Sequence, residues 1–104
     1  MSTTAAVSSV YVAVKRLARE KPDWLPIVAA CRRLALTTDT FAGRWVHNDL
    51  EKHGWSGLFT GLKMLESYGI VEHVKTTRAG QRAYWKMPDI AAVTVALFEL
   101  GVAP

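Results

Sequence analysis

A single cysteine, Cys31, stands among the 104 residues of the chain, so no intramolecular disulfide can form and the bridged framework of small secreted domains is excluded. No run approaches the roughly 18 uninterrupted apolar residues of a membrane span. Residues 1–9 lack the basic start and long apolar stretch of a signal peptide. The expected compartment is therefore the cytoplasm, with no membrane partner. The motifs of catalysis are missing too: there is no Gly-rich phosphate loop, no nucleophile elbow and no HExxH. Asp49 and Glu51, two positions apart on an expected helix, face apart. Cys31 falls on an apolar helical face, which argues against a metal set of Cys31 with His47, His53 and His73. These absences lead to the expectation of no enzyme, no catalytic residue, no cofactor and no metal.

What is present is the composition of one folded unit. Half the residues are hydrophobic and 21% are charged, enough apolar surface for a continuous core in a chain too short for two domains. One domain over 1–104 is expected, with disorder confined to residues 1–5 and the last two or three. Thirteen Lys and Arg against nine Asp and Glu leave a net charge of +4, which favours a polyanionic partner without naming one.

Hydrophobic periodicity divides the chain into helix, helix, helix, helix, hairpin, helix. Val7, Val10, Tyr11, Val14, Leu17 and Ala18 recur at helical spacing, and Pro22 ends that helix. Asp23 offers a cap to a second helix with Pro26 in its first turn and Ile27, Ala30, Cys31, Leu34 and Ala35 inward. Asp39 or Thr40 can cap a third helix carrying Trp45, Val46 and Leu50, closed by His53-Gly54. Ser56 can cap a fourth, with Leu58, Leu62 and Leu65 inward, Phe59, Met64 and Tyr68 beside that line, and Gly69 at its end. The period then changes. Ile70 to Thr76 is rich in β-branched residues, Thr77 to Gln81 forms a turn, and Arg82 to Met87 alternates Ala83, Trp85 and Met87 against Arg82, Tyr84 and Lys86. Pro88-Asp89 caps a last helix with Ile90, Val93, Leu97 and Leu100 inward. The four tryptophans read as core or interface anchors. Lys15, Arg16, Arg19, Lys21, Arg32 and Arg33 read as the polar faces of surface helices.

Leu62-Lys63-Met64-Leu65-Glu66-Ser67-Tyr68-Gly69-Ile70-Val71-Glu72 resembles the end of a recognition helix of the winged helix-turn-helix family: leucines three apart, then a glycine, then two apolar residues entering a wing. The resemblance implies a mainly α fold with a small β-hairpin, that is, a winged helix-turn-helix with extra N-terminal and C-terminal helices. Residues 41–87 form the helix-turn-helix plus wing, 41–54 being the positioning helix, and 89–102 the C-terminal helix. It also implies a DNA-binding protein, a small transcriptional regulator whose recognition helix, about 56–68, lies in the major groove of double-stranded DNA. Ser56, Gly57, Thr60 and Lys63 then face the groove, and the wing presents Lys75, Thr76, Thr77, Arg78, Gln81 and Arg82. Lys75, Arg78, Arg82 and Lys86 form a basic stretch free of acidic residues, suited to phosphate neutralisation.

Two departures open an alternative. Recognition helices of the family often carry Arg, Asn or Gln, which pair bidentately with base edges, whereas this one offers Ser56, Gly57, Phe59, Thr60, Gly61 and Lys63 beside the inward leucines. Ala42 also stands where the family often has a threonine cap. Gly57 and Gly61 each cost a helix about 1 kcal/mol against alanine, which points to close approach by a phosphate backbone, another helix or a packed neighbour. The alternative is thus a winged helix that binds protein through Trp55, Phe59 and these glycines without sequence-specific DNA readout. Nonspecific architectural DNA binding would share the wing. The apolar stripes of the first and last helices are candidates for a homodimer contact.

Overall fold

A computed structural model gives the fold, and residues 8–76 and 82–102 are described. The expected disordered tail at 1–5 and the turn Thr77 to Gln81 lie outside the described residues. Helix α1 spans Ser9–Glu20. Its amides are capped by Ser8, whose Oγ accepts from the N–H of Val10 at 3.1 Å. It stops before Pro22 as the sequence demands, the Lys21 N–H closing the last turn on the Leu17 carbonyl at 2.7 Å.

Asp23 does not cap the second helix. Pro22–Trp24 instead forms a 3₁₀ turn that leads directly into α2, Leu25–Ala35, with no side-chain cap. Continuous turns leave no break at which a side chain is needed. Pro26 sits in the first turn of α2 as expected. Ile27, Ala30 and Cys31 are buried, and so are Val28 and Ala29. Five successive buried residues cannot lie on one helical face, so α2 is enclosed by its neighbours.

Asp39 and Thr40 do not cap the third helix either. The backbone stays extended through a two-residue strand β1, Phe41–Ala42, because both residues pair with the hairpin, and α3 begins only at Gly43, running to Lys52. Its cap position is Ala42, which makes no side-chain bond. Val46 and Leu50 are buried and Trp45 is partly so. The chain leaves α3 through Gly54 at φ +80°, a left-handed exit that glycine adopts at little cost.

The expected fourth helix over 56–68 is mostly absent: α4 covers only Lys63–Tyr68, followed by Gly69. Leu62 and Leu65 are buried as expected, but Leu58 is 85% exposed rather than inward. Ile70 and Val71, both buried, carry the chain into β2, Glu72–Thr76, which pairs with β3, Ala83–Lys86. The three strands form an antiparallel sheet in the order β1-β3-β2. Along β3 the expected alternation holds except at Tyr84: Trp85 and Met87 are buried and Arg82 and Lys86 exposed, while Ala83 and Tyr84 are both half-buried.

Helix α5, Ile90–Glu99, starts as expected at Asp89, whose Oδ1 accepts from the N–H of Ala92 at 3.0 Å. The other oxygen of Asp89 accepts from the Ser8 hydroxyl at 2.8 Å, so the caps of α1 and α5 are bonded to each other. Farther along the same pair of helices, Lys15 Nζ lies 2.8 Å from Glu99 and the Tyr11 hydroxyl donates to the same carboxylate. Between these ties, Val10, Val14 and Leu17 share one buried cluster with Val93, Ala96 and Leu97. The inward stripes of α1 and α5 are thus taken up inside the chain. Full burial of each large aliphatic side chain in that cluster contributes about 1.5–3 kcal/mol.

Both carboxyls of this clamp titrate below their ordinary values. Asp89 is held down first by the Ser8 hydroxyl and then by the Ala92 N–H; Glu99 is held down by Lys15 and then by Tyr11. The unfolded chain therefore takes up these protons at higher pH than the fold does. The stabilisation they contribute is complete above the ordinary carboxylate range and is lost as pH falls through the depressed values. Urea midpoints measured between about pH 6 and 3 should fall with pH, and Asp89→Asn with Glu99→Gln should flatten that fall.

Candidate nucleic-acid interface

Ser56, Gly57 and Thr60, expected along one helical face, lie exposed in the irregular segment between α3 and α4. One local fact explains why this segment does not run into α4 as a single helix, and a second accounts for the glycine at 57. Gly61 sits at φ +108°, outside the right-handed helical region. A Cβ on Gly57 would come within 2.5 Å of the Trp55 ring, so the indole packs where any side chain would stand. The close approach anticipated at Gly57 is thus made by a packed neighbour, Trp55. Phe59, half-buried, stacks on His47 of α3 with ring centroids 5.9 Å apart and planes at 21°, tethering the segment to that helix. Lys63, the first residue of α4, is exposed.

Of the expected wing residues, Thr77, Arg78 and Gln81 lie outside the described residues. Lys75, Arg82 and Lys86 are described and exposed, and Thr76 closes β2, also exposed. A bulge decides how they are arranged. Glu72 pairs with Lys86 and His73 with Trp85, but the next pairs are Lys75 with Tyr84 and Thr76 with Ala83, leaving Val74 as the extra residue. A regular ladder would have put Lys75 on the same side as His73 and Trp85. The inserted residue moves it to the other side. There the Lys75 ammonium lies 5.5 Å from the centroid of the Tyr84 ring. Tyr84 and Lys86 share that side by alternation, as does the position of Arg82.

Two contacts around this face were hidden in the sequence. Trp45 of α3 meets Tyr84 edge-on, centroids 5.9 Å apart at 77°, which fixes the hairpin against the helix that precedes α4. Glu72 lies 3.6 Å from Lys86. The stretch from Lys75 to Lys86 has no acidic residue in sequence, yet Lys86 gains one across the sheet. The broken alternation of residues 70–76 is the one signal that could have located the bulge.

Helical cations have other work. Arg33 donates from Nε to Asp49 of α3 at 2.9 Å, with a second bond from its terminal nitrogen. Arg32 donates to Thr94 of α5 at 2.6 Å. Arg16 lies over the Tyr68 ring, 4.5 Å from its centroid, and 3.7 Å from Glu20. With Lys15 on Glu99, these residues tie elements together. Cys31 is fully buried, and that burial, reinforced by the charge of Asp49, pushes its thiol far above the ordinary range. Among the described residues no group of three His, Cys, Asp or Glu is placed to hold a metal ion.

No family model matches this chain, and neither a curated protein nor a solved structure matches it.

The Trp55–Gly57 packing has a measurable signature. Gly57→Ala forces the indole to move, so tryptophan emission should change while the melting temperature shifts little, since Gly57 is exposed and Trp55 only half-buried. Ser56→Ala, at the exposed neighbouring position, should leave the emission unchanged.

Proposed function

We propose that this chain binds double-stranded DNA as a winged helix-turn-helix protein in which the hairpin, rather than the helix, carries most of the contact, and that it serves as a small regulator of transcription. The observation that carries this reading is the Val74 bulge, which gathers Lys75 with Tyr84 and Lys86 on the side of the sheet opposite Trp85. Such a ribbon can neutralise phosphates while a neighbouring helix approaches the major groove. The succession of α3, α4 and the β2–β3 hairpin supports it, since this is the order the resemblance implies, and β1 holds the hairpin beside the start of α3. In this reading Lys63 and the hydroxyls of Ser56 and Thr60 contact phosphates, which position a protein on the duplex without reading its sequence. A six-residue α4 offers few side chains for base edges, so discrimination between sequences is modest.

One observation favours a second reading, a protein-interaction module. A groove of about 420 Å³ opens between the 3₁₀ turn and the segment after α3, walled by Trp24, Ile27, Trp55 and Leu58, and Leu58 is 85% exposed at its edge. An apolar peptide would fit there.

Fluorescence anisotropy separates the two. A labelled random duplex titrated with salt should bind with an affinity that falls steeply as salt rises, and a genomic-fragment pool should show at most a modest enriched motif. Lys75→Glu with Arg82→Glu should weaken binding at least tenfold and reduce the salt slope by about one for each phosphate that is no longer neutralised. Leu58→Asp should leave the DNA titration unchanged. Absence of duplex binding at low salt removes the DNA reading, and a pull-down sensitive to Leu58→Asp would then support the second.

A further inference from the structure

Helix α4 is poorly furnished for reading bases. Its exposed positions are Lys63, Glu66 and Ser67; Glu66 repels phosphates, and the Ser67 hydroxyl already donates to the Met64 carbonyl at 2.6 Å. Tyr68, at its end, is turned to α1, where its hydroxyl donates to Glu20. Helix α3 is placed differently. Successive residues sit about 100° apart around a helix, so Trp45 and His47 mark two flanks of α3, with Val46 and Leu50 buried between them on one side. Trp45 meets Tyr84 of the hairpin, and His47 stacks on Phe59 of the segment before α4. The arc between those flanks that faces away from Val46 and Leu50 carries Arg44, Asn48, Glu51 and Lys52, all exposed. It therefore lies between two of the segments assigned to DNA.

We propose that α3 is the helix that enters the major groove, with Arg44 and Asn48 reading base edges, an inference that rests on the proposed duplex binding. The chemistry selects this occupant. Arginine pairs bidentately with guanine O6 and N7, and asparagine with adenine N6 and N7. The outer line of α3 holds one of each, and neither has a hydrogen-bond partner among the described residues. Four residues apart on one face, they stand about 6 Å apart along the axis, close to two base steps of about 3.4 Å. Lys52 extends the line by another turn, where a cation meets phosphate. Glu51, the one carboxylate on this arc, stands at its rim, 3.6 Å from His47. On the hairpin side the surface continues through Trp45 and Tyr84 to Lys75. Bases met by α3 and phosphates met by the hairpin thus belong to one footprint. Two base pairs make a short site, in keeping with modest discrimination.

Anisotropy of the full chain on the duplex that the genomic-fragment pool enriches tests this. That duplex should hold a G·C and an A·T pair within about two base steps of each other, and replacing either pair should weaken wild-type binding about tenfold. Arg44→Ala should lose the same factor on the enriched duplex and no longer distinguish it from the one lacking the G·C pair. Asn48→Ala should behave likewise towards the A·T pair. Both positions are exposed, so the thermal melts should match that of the wild type. A site preference that both variants retain overturns the proposal, because the bases are then read elsewhere. So does duplex binding with no preferred site. In either case binding that is weakened by Lys75→Glu with Arg82→Glu leaves the DNA reading standing, whereas absence of duplex binding at low salt removes both.

Discussion

The burial of α2 is the constraint on which the rest of the arrangement depends. Ile27 to Cys31 are buried without interruption, so neighbours must wall the helix on every side. The small side chains of Ala29, Ala30 and Cys31 let those neighbours approach closely. The two residues that follow sit about 100° apart around the helix, and each ties a different wall: Arg32 to Thr94 of α5 and Arg33 to Asp49 of α3. Since α3 in turn holds the hairpin through Trp45 and Tyr84, the placement of the proposed DNA-contacting face traces back to the packing of one apolar helix. Replacing any of its small buried residues by a larger one would strain several walls at once.

Where a side-chain pattern had a single physical reading, it was legible before the structure. The period of α1, the proline that ends it, the Asp89 cap of α5 and the alternation of β3 all follow from local rules that the tertiary structure does not contest. The segment from Ser56 to Leu62 shows how a pattern misleads. Leu58, Leu62 and Leu65 have helical spacing, but Gly61 adopts a positive φ and Trp55 occupies the space over Gly57. The backbone before α4 follows Gly61 and not the leucine spacing. Strand β1 was illegible for a different reason: two residues are too few to show any period, and Phe41 and Ala42 become a strand only because β3 arrives beside them.

The candidate interface was half legible. Which residues are basic and that they sit on a hairpin could be read directly, but their sidedness could not, because one inserted residue reverses it. The structure also divides the cations by role. Lys15, Arg16, Arg32 and Arg33 are engaged in joining helices, whereas Lys63 and Lys75 are exposed on the segments assigned to DNA. A count of charges would have treated all of them alike.

Cys31 gives the protein an internal clock. Its side chain has no exposure, and its thiol stays protonated because its surroundings disfavour the anion. A maleimide or disulfide reagent in solvent therefore has nothing to attack while the walls of α2 are closed. Reaction requires an opening that admits water to the middle of the molecule. Because the chain holds no second cysteine, every modified molecule records one such event. With reagent concentrated enough to outpace reclosing, the rate of labelling equals the rate at which the core opens, readable by mass without any engineered probe.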